Sequence, residues 1–335
     1  MFADGRFVPA RGLSSGHVMT TFAWARSRQY PGLPAPDTRL FRVDPESQVR
    51  ADCFWQADRH SAPTLLGLHG LEGSSEAHYM RGVAHKAWHR SWNVVLLNQR
   101  NCGGTEHLTP GLYHSGLTAD PLEVLRALSA TERLTSFAIA GYSLGGNLAL
   151  KLAGELPGLP AASRPPVSAV AAVSPTIDLS LCVEGLERWQ NSLFQWHFVK
   201  GLKARMRRKA AAFPGRFDLA LLDSIRTIRQ FDDAYTAPSN GFGTAARYYE
   251  LCSALRGVSN IATPALIVSA EDDPFVPPSQ FLGDAIRASE YIHVSLQPHG
   301  GHCGFVGRAT STSDGYWAEE AIVDFLSRSG FTMKT

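Results

Sequence analysis

Continuous apolar runs, separated by segments with helical spacing, constrain the fold of this chain more than any other feature. Strands that are buried on both faces are apolar along their whole length, whereas half-buried strands alternate. The runs are PTLLGLHG (63–70), NVVLLN (93–98), TSFAIAGYS (135–143), VSAVAAVS (167–174) and TPALIVSA (263–270), and YIHVSLQP (291–298) resembles one more strand. They predict parallel strands that are covered by helices on both sides.

Helical segments lie between these predicted strands. They are 76–90, 117–131, 144–156 and 279–288. Strands that alternate with helices are typical of a parallel sheet built from right-handed crossovers, so the sequence predicts the α/β class with a mostly parallel central sheet. Before residue 61, TRLFRV and VRADCFWQ alternate between polar and apolar residues. We expect these two segments to form antiparallel strands that lead into the sheet.

The interval between the strands at 167–174 and 263–270 is longer than one helix and two loops need. Apolar residues recur in it at spacings of three and four, as in amphipathic helices. The predicted parts of the chain are therefore an N-terminal segment (1–60), a core (61–177 and 251–335) and a helical cap inserted in that core (178–250). We expect Trp189, Phe194 and Trp196 to face the substrate from the cap.

A G-x-S-x-G pentapeptide lies between a predicted strand and a predicted helix, with Ser143 at its centre. A serine on such a tight turn exposes its hydroxyl above the sheet, and small flanking residues are needed because the backbone there is strained. The N–H of the next residue then faces a developing oxyanion. The arrangement predicts Ser143 as a nucleophile and the backbone N–H of Leu144 as an oxyanion donor.

Two later strands end in residues that can serve as the acid and the base. A serine nucleophile needs a histidine base, and the histidine needs a carboxylate that orients it. Asp272 and Asp273 follow one predicted strand, and His299 and His302 follow the next. The carboxyl ends of parallel strands meet at one crevice. We expect Asp273 and His302 to have these roles, with Asp272 and His299 as alternatives.

A His-Gly turn at residues 69–73 follows the first buried strand. A turn at this place brings a backbone N–H beside the nucleophile. We expect the N–H of Leu71 to be the second oxyanion donor, together with that of Leu144. Because only the backbone acts, the side chain of Leu71 remains free to line the pocket.

Six motifs in this order give the chain a family resemblance. They are HGLEGSS, NQRNCGG, YHSGLTAD, GYSLGGN, DDPFVP and GGHCGF, preceded by Phe7-Val8-Pro9, His17 and Thr20. With them the chain resembles the YheT-like branch of the α/β-hydrolases, which is related to medium-chain ester hydrolases and alcohol acyltransferases. The resemblance covers nearly the whole chain and is weakest in the cap. It implies an α/β-hydrolase fold and a catalytic triad of Ser143, Asp273 and His302.

The charge balance and the cysteines exclude several classes of protein. Lys and Arg number 32 against 30 Asp and Glu, so no basic excess indicates a nucleic-acid partner. No apolar run approaches the roughly 18 residues that cross a bilayer. Five scattered cysteines form no C-x-x-C pair, so we expect a cytoplasmic location. No phosphate-binding loop or metal-ligand spacing is present, and we predict no cofactor and no metal.

One basic run stands out in the predicted cap. The segment KGLKARMRRK, from Lys200 to Lys209, carries six positive charges. A solvated face of the cap is one interpretation, and contact with an anionic membrane surface is the other. Nucleic acid is disfavoured because no aromatic platform or groove motif accompanies the run.

Three functions are compatible with these residues. The favoured one is hydrolysis of short- to medium-chain acyl esters or monoacylglycerols, through an acyl intermediate on Ser143. An alcohol O-acyltransferase would use the same three residues, and a binding protein would keep the fold without the chemistry. Amidase, peptidase and thioesterase activities also use this set of residues. The sequence does not determine the oligomeric state.

Overall fold

The structure is a computed structural model that describes residues 5–329. The predicted N-terminal segment and core also include 1–4 and 330–335, which lie outside the described residues. The strands are β1 (Asp37–Asp44), β2 (Ser47–Phe54), β3 (Thr64–Leu68), β4 (Asn93–Asn98), β5 (Phe137–Tyr142), β6 (Val167–Val173), β7 (Ala265–Ala270) and β8 (Ile292–Gln297). They form one eight-stranded sheet in the order β1-β2-β4-β3-β5-β6-β7-β8.

The direction of the strands follows the sequence prediction. Strand β2 is antiparallel to both β1 and β4. All pairings among β3 to β8 are parallel, with β3 between β4 and β5. The predicted mostly parallel sheet with an antiparallel beginning is therefore confirmed.

Helices flank this sheet and fill the interval between β6 and β7. They are α1 (Gly16–Ala25), α2 (His78–Trp88), α3 (Ala119–Thr131), α4 (Leu144–Glu155), α5 (Leu179–Leu186), α6 (Ser192–Ala212), α7 (Ile228–Phe231), α8 (Ala237–Ser239), α9 (Ala245–Cys252), α10 (Asp284–Arg287) and α11 (Trp317–Ser329). A π-helical turn (Asp232–Thr236) joins α7 to α8. Short 3-10 turns lie at Glu106–Leu108, Leu156–Gly158, Ala161–Ser163, Trp189–Asn191, Leu222–Ser224, Ala254–Asn260 and Pro278–Phe281.

The prediction of a single helix at 279–288 is wrong. A 3-10 turn at Pro278–Phe281 and the short helix α10 occupy this segment instead. Gly283, which precedes α10, has an extended backbone with ψ 152° that interrupts a continuous helix. Glycine favours such a break because it loses more conformational freedom in a helix than other residues do.

Two apolar cores lie on opposite faces of the sheet, which explains why its central strands are apolar along most of their length. Leu66 and Leu68 of β3 pack with α3 and α4, whereas Leu65 packs with α1, α2 and α11. Successive side chains of a strand point to opposite faces, so both sets of positions must be apolar. The helices α5 to α9 continue the first of these cores. Across residues 5–329, no helix is both long and apolar enough to span a membrane.

Candidate active site

Ser143 occupies a strained turn between β5 and α4. Its φ of 54° and ψ of −119° lie outside the regions that a side-chain-bearing residue usually adopts. The turn is tight enough to require glycine on both sides. A Cβ atom on Gly141 would lie 2.1 Å from the carbonyl oxygen of Gly145, and one on Gly145 would lie 2.2 Å from that of Leu68. The pentapeptide pattern thus follows from the packing of the turn against β3.

The structure brings Ser143, His302 and Asp273 together in one hydrogen-bonded chain. Nε2 of His302 lies 2.9 Å from Oγ of Ser143, and Nδ1 lies 2.9 Å from Oδ2 of Asp273. The other carboxylate oxygen of Asp273 accepts backbone hydrogen bonds from Phe275 and Val276 at 3.1 and 3.0 Å. The carboxylate is therefore fixed, and it fixes the orientation of the imidazole in turn.

The alternative residues form a separate pair that does not contact Ser143. Oδ2 of Asp272 lies 3.3 Å from Nδ1 of His299, and both side chains are partly exposed. Oδ1 of Asp272 accepts a hydrogen bond from the backbone N–H of Gly301 at 2.9 Å. Asp272 thus contacts the loop that carries His302 rather than the imidazole itself.

The environment of the His302 imidazole favours its protonated form. Burial by itself lowers the pKa of this group, but the neighbouring Cys303 and Asp273 more than offset the effect, and the pKa is raised above its usual range. The ring of Phe275 lies 4.1 Å from the imidazole, centroid to centroid, and shields it from solvent. An imidazole in this position readily holds a proton that it takes from a neighbouring hydroxyl.

Helix α1 supports the His302 loop, a role that our sequence analysis missed. Oγ1 of Thr20 accepts a hydrogen bond from the backbone N–H of His302 at 2.8 Å and donates one to the carbonyl of Gly16 at 2.7 Å. A Cβ atom on Gly16 would lie 1.7 Å from the carbonyl oxygen of Asp272, so only glycine fits there. The one available signal was the presence of Thr20 among the residues of the family resemblance.

The predicted oxyanion donors lie at the same end of the sheet. Both Leu71 and Leu144 line the pocket that contains Ser143. Across residues 5–329, neither backbone N–H donates a hydrogen bond to another protein group. By contrast, the N–H of Gly70 already donates to the hydroxyl of Tyr79 at 3.0 Å. Of the first two N–H groups after His69, only that of Leu71 is therefore available to a ligand.

His69 holds the turn that carries Leu71. Its Nε2 accepts a hydrogen bond from the backbone N–H of Gln99 at 3.1 Å, and its Nδ1 lies 2.8 Å from the carbonyl oxygen of Gly70. Complete burial lowers the pKa of this imidazole to about 4. The ring is thus neutral at physiological pH, and it acts as a fixed bridge between this turn and the end of β4.

A pocket extends from Ser143 toward the helices between β6 and β7. It holds about 720 Å³ of empty space, its open mouth to solvent included. Apolar side chains supply most of its wall on the helical side: Leu179, Cys182, Val183, Leu186, Phe198, Leu202 and Ile228. The buried polar groups in its wall include Arg205, Asp232, Thr236, Tyr248 and Tyr249. Among residues 5–329, no group of His, Cys, Asp and Glu is arranged to hold a metal ion.

The structure does not bring the predicted cap aromatics to this pocket. Trp189 and Trp196 are 81% and 57% exposed, and they face solvent. Phe194 packs edge-on against Phe275 at 5.7 Å but does not line the pocket. The aromatic residue of α6 that lines it is Phe198. The spacing of the apolar residues identified a helix face correctly, but it does not say which face turns inward.

The basic run is only partly a surface feature, which corrects our interpretation of it. Arg205 is buried and forms an ion pair with Glu72 at 2.6 Å. Lys209 is fully buried, and its ammonium group donates to the carbonyl oxygens of Glu106 and Thr109. Burial lowers the pKa of Lys209 to about 7. The remaining four charges of the run lie nearer to solvent.

Comparison with known proteins gives a consistent result. A family model described as "alpha/beta hydrolase fold" matches residues 63–309. The chain is 35% identical to the putative esterase YheT of Escherichia coli over 97% of this chain and 94% of that protein. It is 28% identical to the mouse phospholipase ABHD3 over 80% of this chain and 66% of that protein. A crystal structure of the Pyrococcus furiosus esterase Pf2001 superposes with a TM-score of 0.60 at 14% identity, covering 91% and 97% of the two chains.

Proposed function

Because this chain belongs to the YheT-like branch of the α/β-hydrolase fold family, and because Ser143, His302 and Asp273 form one hydrogen-bonded chain, we propose that it hydrolyses carboxylic esters through an acyl intermediate on Ser143. That the chain is an ester-hydrolysing enzyme agrees with the names of its relatives. The hydrogen-bonded chain at the mouth of an apolar pocket is the observation that carries the mechanism.

In the proposed first step, His302 removes the proton of the Ser143 hydroxyl while its oxygen attacks the ester carbonyl. His302 then gives this proton to the departing alcohol, which leaves the acyl group on Ser143. A water molecule replaces the alcohol, transfers its proton to His302 and attacks the acyl group. The proton returns to Ser143 as the acid departs, so the enzyme is regenerated. Asp273 stabilises the imidazolium in both halves of the reaction.

The tetrahedral intermediates carry a negative oxygen that needs hydrogen-bond donors. We assign this role to the backbone N–H groups of Leu71 and Leu144. The absence of another acceptor for either group within residues 5–329 supports the assignment. The N-terminus of α4 adds a favourable dipole at the same place. Loss of one such donor typically costs about 10²- to 10³-fold in kcat.

The proposed substrates are esters of short- to medium-chain acids, monoacylglycerols included. The mostly apolar wall that α5, α6 and α7 contribute supports an acyl chain as the bound group. We propose residues 178–250 as a cap on the core formed by 61–177 and 251–335. In this arrangement the cap selects the acyl chain and the core performs the reaction.

The proposal includes a reducing compartment such as the cytoplasm. All five cysteines are free thiols, and four of them are buried. Disulfides persist mainly in oxidising compartments, so their absence among five cysteines supports this location. A fractionation experiment with an antibody to the protein would test it.

A panel of p-nitrophenyl and glyceryl esters of graded acyl length tests the reaction. We expect turnover with an optimum at short to medium chains, and covalent labelling of the protein by a fluorophosphonate probe. Labelling must disappear in Ser143→Ala. A wild-type protein that neither labels nor turns over any ester would leave only a binding function. Addition of ethanol gives an ethyl ester if the acyl group passes to an alcohol rather than to water.

A matched pair of substitutions tests the cap. Phe198→Ala removes an aromatic wall of the pocket, and we expect it to change discrimination between short and medium acyl chains by about 1–3 kcal/mol. Leu221→Ala is the control, because Leu221 lies in the same segment but is 61% exposed and away from the pocket. Equal acyl selectivity of the two variants would contradict the cap proposal.

A further inference from the structure

One side of α6 and of the turn before it carries an unusual row of exposed side chains. This exposed stripe consists of Trp189, Leu193, Trp196, Lys200, Lys203 and Arg207. Its members are spaced by three or four residues, so they lie on one side of the helix. The three apolar members are 81%, 66% and 57% exposed. The stripe is therefore apolar at the beginning of the helix and basic toward its end.

The three apolar members of the stripe belong to none of the apolar cores of the described residues. Buried Val199, Leu202 and Met206 hold the helix to the protein. Phe198 and Leu202 from the inner half of the helix also line the pocket that contains Ser143. Because the helix is anchored without the stripe, exposed tryptophans there indicate contact with something outside the chain.

Helix α1 extends the apolar part of this surface. Trp24 is 58% exposed, and its ring lies 4.4 Å from that of His197, which is the neighbour of Trp196. The surface thus includes aromatic residues from two helices that are far apart in the sequence. A tryptophan combines an apolar ring with an N–H donor, and such side chains are favoured where water meets lipid.

The charged part of the surface is predominantly positive. Lys200, Lys203, Arg207 and Arg226 line one shallow groove. The facing acid is Asp223, which pairs with Arg207 at 2.5 Å and whose carbonyl oxygen accepts a hydrogen bond from Lys203. One carboxylate against four cations leaves a positive excess. The ammonium of Lys200 also lies 5.0 Å from the centre of the Trp196 ring, so basic and aromatic groups are directly adjacent.

We propose that the exposed stripe docks on an anionic phospholipid surface. The tryptophans enter the headgroup region, and the lysines contact the lipid phosphates. Charge complementarity favours this occupant over a second copy of the chain, whose identical surface would be repelled by the like charges. The inference goes beyond the proposed reaction, because it concerns where the enzyme meets its substrate. Docking through α6 brings the pocket wall on the inner side of the same helix close to the lipid.

Binding to vesicles tests the proposal without any turnover. The full chain with Ser143→Ala is mixed with vesicles of phosphatidylcholine alone or of phosphatidylcholine with phosphatidylserine, and the bound fraction is measured by flotation. We expect binding to the mixed vesicles that weakens as salt is raised, because salt screens exposed charges over roughly 8–10 Å. Loss of one basic residue near an anionic surface weakens binding roughly fivefold. The double variant Lys200→Glu with Lys203→Glu should weaken vesicle binding by more than this factor for each residue, because it also adds two negative charges.

Apolar variants and matched controls complete the test. Trp189→Ser with Trp196→Ser should weaken vesicle binding at least about tenfold. Leu282→Ser and Arg256→Glu, exposed substitutions on other elements, should leave it unchanged. No binding of the parent protein to mixed vesicles, or equal losses in the control variants, would overturn the proposal. Sedimentation that shows a dimer in solution, dissociated by the tryptophan substitutions, would assign the stripe to a second copy instead.

Discussion

Two Asp–His pairs from the same two loops differ in burial and in what else they contact. Asp273 and His302 meet at 2.9 Å with side chains that are 0% and 9% exposed, and His302 also contacts Ser143. Asp272 and His299 meet at 3.3 Å with side chains that are 22% and 41% exposed. The chemical groups are identical, so any difference in their roles comes from position.

The comparison shows what burial does to the geometry of an Asp–His pair. Water screens the exposed pair and leaves its geometry loose, as for most surface pairs. Burial shields the other pair from solvent, so the Asp273 carboxylate holds one orientation and one tautomer of His302. Asp272 has a different task, because its second oxygen holds the backbone N–H of Gly301. In the proposed mechanism the buried pair acts on the reaction, whereas the exposed pair contacts the loop.

The largest expected effect separates the two histidines. His302→Ala should lower kcat by about 10⁴-fold or more. Ser143→Ala should cause a similar loss, because removal of either residue disables the proposed triad as a whole. His299→Ala should leave kcat near that of the wild type, because the exposed imidazole does not contact Ser143. Steady-state kinetics on one soluble ester measure all three variants. Similar losses for both histidine variants would remove the distinction between the pairs.

The two carboxylates should differ almost as strongly. Asp273→Asn keeps the shape of the site but favours the wrong tautomer of His302, which should cost roughly 10⁴-fold in kcat. Asp272→Asn retains an oxygen that can accept from Gly301, so we expect it to cost less than about tenfold. Both variants should melt close to the wild type by circular dichroism. A larger kinetic loss in Asp272→Asn would reverse our assignment.

A smaller effect is expected from the support of the His302 loop. Thr20→Val removes the acceptor of the His302 backbone N–H, and an unpaired buried donor costs about 1–3 kcal/mol. We expect kcat to fall about tenfold at an unchanged KM, because the loop and not the pocket is disturbed. Thr21→Val is the control, since the Thr21 hydroxyl is exposed and bonds only within α1. Equal kinetics in both variants would show that α1 does not position His302.

The subtlest test concerns the pH dependence. His302 must be neutral to accept the Ser143 proton, so activity should rise with pH through its raised pKa, above the range of a free imidazole. Cys303→Ala removes a group that raises this pKa, and the rising limb of kcat/KM should therefore move toward lower pH. Asp272→Asn should leave the limb in place. If the rising limb of kcat/KM shifted in Asp272→Asn and not in Cys303→Ala, the exposed pair would control the pKa of His302.

The sequence predicted those parts of the molecule whose signals are local. Continuous apolar runs indicated strands buried on both sides, and the structure has them in two-sided cores. The glycines around Ser143 are set by contacts within one turn and its neighbouring strand, so a five-residue pattern carried enough information. The placement of Asp273 and His302 after successive strands follows from the parallel sheet itself.

Features that depend on distant partners were not predictable in this way. Helical spacing placed Trp189 and Trp196 on one face, but only the rest of the fold decides which face is covered. The charges of Arg205 and Lys209 suggested a surface position. Their burial was not predictable because their partners, Glu72 and Glu106, lie more than 100 residues away in the chain. Helix α1 gave no separate signal, since its role consists of contacts with loops near the other end of the chain.

The hydrogen bond between Thr20 and His302 has a consequence for the synthesis of this protein. It joins residues 282 positions apart, and ribosomes add about 5–20 residues per second. Helix α1 therefore waits on the order of 15–60 seconds before the loop that it contacts has been made. During that time Met19 and Ala23, which are buried in the finished protein, have no permanent cover. The site around His302 therefore forms only after this loop has been made, and its yield depends on what shields α1 until then.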